Sequence, residues 1–281
     1  MEGLLQYIRK QRTVLMRIQI ALTSLNKSQS NDPQRVSILR KELGAIDKIR
    51  NDLVADASFL SNLDESITAS KKELTVKEEE LKSDFGLKLD QLLKELNLKL
   101  EGQYPILHTS FYRLNIDIPS NKVTIYFGPG VEKVGITKAI PDDVVNSLAK
   151  LNKNIIDRQF DEQEFMKTIF SAYQTYNLQN KKRIGDEAPL ADIHKGVVFL
   201  VQTDNFRKNP TKNTLFEYTR AMFSYDLSRL KKRVFNNFEL RLITATRADT
   251  RSSGEFFWIP TSGVGMQGET VARIKFSEVI K

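Results

Sequence analysis

Pro33-Gln34-Arg35-Val36-Ser37-Ile38-Leu39 opens a run to about Glu101 in which every seventh position is apolar: Leu39, Ile46, Leu53, Leu60, Ile67, Leu74 and Leu81. A period of 3.5 residues keeps one seam of a helix turned toward a partner helix, which is the sequence condition for a coiled coil. At 1.5 Å per residue, one continuous helix of this length would reach ~100 Å, more than a compact domain of this size buries. The spacing therefore predicts a rod to which the rest of the chain is attached, with the seven stripe residues offered to a partner.

Upstream, Glu2 to Asn26 reads as a first helix. Leu4, Ile8, Leu15, Ile18, Leu22 and Leu25 are its inward positions, and Gln11 is the polar intruder. Asn26–Asn31 is rich in polar turn formers, and Asp32-Pro33 has the form of an N-cap followed by a proline in the first turn. The first helix is expected to fold back on the start of the second as a hairpin. The companion seam of the long run is Val36, Leu43, Arg50, Ala57, Asp64, Lys71 and Glu78. It starts apolar and turns polar, so an internal hairpin would leave the later stripe half covered, awaiting another helix. Phe85, Leu89, Leu92, Leu93, Leu96 and Leu100 restore the apolar face, and Gly102 with Pro105 reads as the helix end.

From Phe111 the period changes to two. Tyr112, Leu114, Ile116 and Ile118, then Val123, Ile125 and Phe127, then Val134, Ile136 and Ile140 predict a three-stranded antiparallel meander with one covered face. Covering helices are expected from Pro141, with Val144, Val145, Leu148, Leu151 and Ile155 inward, and over Asp161–Asn177, with Phe165, Ile169 and Tyr173 inward. Leu190–Val201 reads as a helix, Asn205–Asn213 as a loop, and Ala221–Leu227, Phe238–Leu242, Glu255–Ile259 and Thr270–Phe276 as strands. The fold class is α+β: a helical hairpin and coiled-coil rod over residues 1–101, then a head with antiparallel sheet and covering helices over 102–281, with sub-blocks 102–203 and 204–281.

Charge is unevenly placed. Residues 1–101 carry 17 basic and 16 acidic side chains, residues 102–203 carry 12 and 11, and residues 204–281 carry 14 and 8. The net charge of +8 therefore sits mostly in the last segment, as a polyanion partner would require. The absence of cysteine excludes disulfides, thiol catalysis and cysteine-based metal sites, and fits a reducing, cytoplasmic setting. No run of eighteen apolar residues and no basic-then-apolar leader is present, so neither a membrane span nor a secretory signal is expected.

Known catalytic and nucleotide motifs fail on context. Gly263-Val264-Gly265-Met266-Gln267-Gly268 has the G-x-G-x-x-G spacing, but a strand, not a helix, is expected after it. Gly130–Gly135 has the glycine spacing of a phosphate loop, with Ile136-Thr137 where Lys-Ser/Thr is needed. Asp192 and His194 lie two apart and would diverge on a helix. Asp117, Glu132 and Lys133 are the nearest approach to a metal-dependent nuclease set, and a solvated sheet face explains them as well. No cofactor and no metal site is expected.

The remaining signal is basic: Arg207, Lys208 and Lys212 in a loop; Arg229, Lys231, Lys232 and Arg233 in a cluster; Arg241, Arg247 and Arg251 along and beyond a strand; and Trp258 beside Phe256 and Phe257 for base stacking. No base-reading motif accompanies them, so contact would be to the nucleic-acid backbone, DNA or RNA. The expected function is a non-enzymatic accessory subunit of a nucleic-acid-associated complex, such as chromosome maintenance or DNA defence, with the rod binding another helix or protein chain. The alternatives are a coiled-coil oligomeric scaffold that binds only proteins and, third, a metal-dependent nuclease-like enzyme.

Overall fold

A computed structural model describes residues 2–26, 33–50, 57–252, 254–261 and 265–279. It is mixed α and β with antiparallel sheet, and the chain forms two compact units. One gathers residues 1–106, 115–123 and 136–145; the other gathers 107–114, 124–135 and 146–281.

The helical part of the first unit is α1 (Glu2–Asn26), α2 (Pro33–Arg50) and α3 (Ala57–Glu95). The single ~100 Å helix is not observed: α3, at 39 residues, is about 58 Å long, and α2 lies alongside it. Arg40 donates to the Glu78 carboxylate through Nε at 2.8 Å and Nη2 at 2.6 Å, and Lys71 Nζ reaches Asp47 at 2.6 Å. On one straight helix, residues 38 apart would be separated by about 57 Å. Because 40 meets 78 and 47 meets 71, α2 and α3 run antiparallel. The polar seam positions Lys71 and Glu78, expected to await a partner, are answered by acid and base on the chain's own α2.

The apolar stripe is consumed in the same way. Leu39, Ile46, Ile67, Leu74 and Leu81 are all buried within this unit, so they are core and not a partner surface. Leu53 and the side chain of Leu60 lie outside the described residues, as do Asp32 and the side chains of Leu4, Leu25, Arg50 and Ala57. In α1 the buried residues are Val14, Ile18 and Ala21, while Ile8 and Leu15, expected inward, are exposed. α3 ends at Glu95, six residues early. Leu98 N–H bonds the Leu93 carbonyl, Asn97 N–H bonds that of Lys94, both at 2.9 Å, and Asn97 has φ +57°. This is a Schellman cap with asparagine in the left-handed position. Leu96 is consequently exposed beyond the helix, and Gly102 falls in a strand.

The first sheet has five strands in chain order: β1 (Glu101–Gln103), β2 (Ile106–Thr109), β3 (Tyr112–Asp117), β4 (Lys122–Phe127) and β5 (Glu132–Thr137). Tight turns between sequential neighbours make it a meander, two short strands longer than predicted. β3 and β4 bury the expected alternate residues. β5 is out of phase with expectation: Ile136 is exposed, and Gly135 takes the inward position against Ile125 and Leu151, each 3.8 Å from where a Cβ would stand.

α4 (Pro141–Ile155) and α5 (Glu162–Gln179) follow as predicted, α5 capped by Asp161, whose Oδ1 accepts from the Gln163 and Glu164 amides at 3.0 Å. Next come β6 (Ala188–Pro189), α6 (Leu190–Leu200) and α7 (Asp204–Lys208), the last a short helix where a loop was expected. α8 (Arg220–Arg229) replaces the strand read over Ala221–Leu227. Ala221, Met222, Phe223, Ser224, Asp226 and Leu227 are all buried, and a helix covered on most sides shows no 3.6-residue period. β7 (Val234–Phe235), β8 (Phe238–Thr244), β9 (Phe257–Pro260) and β10 (Gly268–Glu278) complete a second antiparallel sheet with β6, ordered β6-β10-β8-β7, with β9 on β10.

Candidate nucleic-acid interface

β8 and β10 pair so that Leu240 faces Phe276 and Leu242 faces Ile274 on the inner side, packed toward the core. Directly opposed residues share a face, so the alternate pairs Glu239–Ser277, Arg241–Lys275 and Ile243–Arg273 make the outer side. β7 extends the sheet with Val234 opposite Glu239, and the Leu240 amide bonds the Arg233 carbonyl at 2.7 Å in the same register. Lys232 lies two residues before β7, on the segment that leads into this edge strand. Arg241 and Lys275 thus stand side by side as cations on the outer face of β8 and β10, with Lys232 on the segment entering the neighbouring β7.

Lys231, Lys232 and Arg233 are exposed, and the Lys232 amide is fixed by Glu162 Oε1 at 2.6 Å, which anchors the segment at its backbone and leaves its side chains outside. Among the described residues Lys232 and Lys275 have no ion pair, while Arg241 contacts Glu239 at 2.9 Å. Arg273 is already neutralised: it meets Asp249 at 2.7 Å and Glu187 at 3.4 Å. Asp249 in turn accepts from the Thr246 amide and hydroxyl, and these bonds, then Arg273, hold its carboxyl below the usual carboxylate range. That clamp holds the loop after β8, which carries Arg247 and Arg251, both exposed.

Arg207 and Lys208 lie in α7 and Lys212 follows it, all exposed, with Arg207 Nη2 on the Leu200 carbonyl at 2.9 Å. These three lie outside the register that sets Arg241 beside Lys275. Two expected site residues are structural. Arg229 ends α8 three residues after Asp226 and binds its carboxylate; the guanidinium lies 4.2 Å over the Phe160 ring and donates to the Arg158 carbonyl at 3.0 Å. Asp226 also takes Arg158 at 2.8 Å and the Tyr218 hydroxyl at 2.5 Å. Trp258 is buried and offers no stacking platform: Phe256, Phe257 and Ile259 are buried with it, so both sides of β9 are covered. Its indole lies on Gly128 and Gly268, where an added Cβ would come within 2.5 Å and 2.4 Å of the ring. Gly268, the last glycine of the discarded nucleotide motif, therefore seats a tryptophan at the start of a strand; Gly263 and Val264 lie outside the described residues.

The sequence reading missed Lys275. Its alternation with Ile274 and Phe276 placed it on an outer face, but only the register with β8 sets it beside Arg241. The other chemistries do not assemble. Asp192 pairs with Lys195 at 2.8 Å, whereas His194 Nε2 meets the Tyr218 carbonyl at 3.2 Å with its ring among Tyr218, Phe223 and Phe257. Burial, with nearby Arg220, lowers the His194 pKa to about 4. Glu132 is held by Arg220 at 2.6 Å, and Asp117 accepts the Ser120 amide of its own turn. Among the described residues no cluster of three or more His, Asp or Glu could hold a metal ion, and no helix is long and apolar enough to cross a membrane. Compared with family models, with curated proteins and with solved structures, the chain gives no match in any of the three.

Proposed function

We propose that this chain is a non-enzymatic accessory subunit of a nucleic-acid-associated complex, and that the outer face of its second sheet lies on the phosphate backbone. Arg241 beside Lys275 carries the reading, with Lys232 on the segment that leads into β7: cations set side by side on neighbouring strands meet consecutive phosphates without needing base edges. Arg247 and Arg251, exposed in the loop after β8, extend the basic field at the rim. With Trp258 in the core, base stacking has no part in it, so duplex and single strand should be bound through charge alone. The helical unit serves as the partner-binding part, and a cytoplasmic location goes with the cysteine-free composition.

Filter binding of duplex and single-stranded DNA at two salt concentrations tests this. Binding should weaken with salt, and K232A/R241A/K275A should lower the log–log salt slope by about 2–3 while circular dichroism stays unchanged. Absence of salt-dependent binding below ~0.1 mM rules the reading out.

A further inference from the structure

With the described heptad residues buried, the exposed apolar and charged side chains of the helical unit lie on other faces, and two of these are complementary. On α1, Leu5, Ile8, Arg12, Leu15 and Gln19 fall at alternating three- and four-residue steps, flanked by Arg9, Met16 and Ile20. All eight are exposed, and the five large aliphatic or thioether side chains among them are 45–63% accessible. Every α1 side chain described between Glu2 and Thr13 is exposed except Gln11, which is half-buried. Arg9 and Arg12 have no ion pair among the described residues.

α3 carries the converse pattern. Glu65, Glu73, Glu80 and Asp84 stand on one exposed side, with Ala69 and Val76 between them and Leu87 one step beyond, all at three- and four-residue steps. Val76 and Leu87 are more than half exposed. Glu73 is shared with Lys77 at 2.8 Å, while other lysines of α3 are taken by acids elsewhere: Lys71 by Asp47, Lys82 by Glu79 and Lys88 by Asp142. From Glu65 to Leu87 the stripe runs about 33 Å, enough for the ~22 Å of α1 from Leu5 to Ile20.

We propose that α1 of one copy docks on the acidic side of α3 of a second copy, Arg9 and Arg12 meeting Glu80 and Asp84 while the aliphatic residues cover Val76 and Leu87. A two-fold dimer makes this contact twice, because each copy offers both stripes. Pairing of α1 with its own copy is disfavoured, since a symmetric antiparallel arrangement centres on Arg12 and sets it against its mate. The proposal goes beyond the phosphate-binding reading and stands apart from it, as nothing in its test contains nucleic acid.

Sedimentation velocity on the full chain over a dilution series decides it, with circular dichroism as the control for helix content. The wild type should be dimeric and should dissociate on dilution and with added salt. R9E/R12E and E80R/D84R should each be monomeric. Mixing the two variants should restore a heterodimer, since reversed α1 then meets reversed α3 and the untouched pair also matches. A monomeric wild type, dimeric single variants, or a mixture that stays monomeric overturns the proposal. So does a monomer that co-sediments with phosphatidylserine vesicles, which would give the α1 face to a lipid surface instead.

Discussion

Arg40–Glu78 in the helical unit and Asp226 with Arg158 and Arg229 in the second unit use the same chemistry at different depths. Glu78 has 6% of its side chain accessible, but the Arg40 that binds it has 53%. Asp226 has 4% accessible, and its arginines 19% and 20%. In the first case a solvated guanidinium reaches down to one carboxylate, which sets how α2 lies along α3 while water shares the charge. In the second, two cations and one anion are withdrawn from water together, so each depends on the others. A half-wet pair specifies alignment at small cost; a dry cluster couples α8 to the chain before α5 so tightly that no member is dispensable.

Removing the shared anion tests that contrast most severely. D226N leaves two guanidiniums without a counter-charge at a buried site and should cost about 3–5 kcal/mol, read as a lower urea midpoint. A loss under ~1 kcal/mol would mean that water reaches the cluster.

His194 provides a second measure of how dry this unit is. Its folded pKa of about 4 lies below the ordinary 6.5, so the unfolded chain takes up the proton first. Stability from the neutral ring is fully present above the ordinary value and is lost as pH falls toward the folded one. The loss should reach about 2 kcal/mol by about pH 5. Asp249, whose carboxyl is held low, adds a loss of the same sign on further acidification. H194F should therefore lose less Tm than wild type between about pH 7 and pH 5. An identical drop in both would assign the pH dependence elsewhere.

The helical unit should give the smallest effects, and in a set order. R40A strands the covered Glu78 carboxylate and should cost about 1–2 kcal/mol. D47A removes a pair in which Lys71 and Asp47 are each nearly half accessible, and should change stability by less than about 1 kcal/mol. The reverse order would show that α2 is aligned by its exposed pairs and not by the covered one.

The sequence by itself determined where chain chemistry is local. The alternation in β3 and β4, the helix beginning near Asp161, the apolar face of α4 and the neutral-then-basic charge distribution were all readable, because each depends on neighbours in sequence. The end of α3 was not: Gly102 and Asn97 both tolerate positive φ, and only the hydrogen-bond pattern shows that Asn97 closes the helix. Tertiary structure decided the rest. A heptad stripe reports that a helix has a partner, not which one, and only the Arg40–Glu78 and Lys71–Asp47 pairs show that the partner is the chain's own α2. α8 is buried on so many sides that periodicity vanishes, and its arginine at 229 is drawn inward by an aspartate only one turn away. Trp258 could have been a stacking surface until two distant glycines placed their bare backbones beneath it. Lys275 came beside Arg241 only when β10 paired in register with β8. Except at Arg229, whose aspartate lies one turn back on the same helix, the deciding neighbour comes from another element, and a residue's role follows from what the fold sets against it.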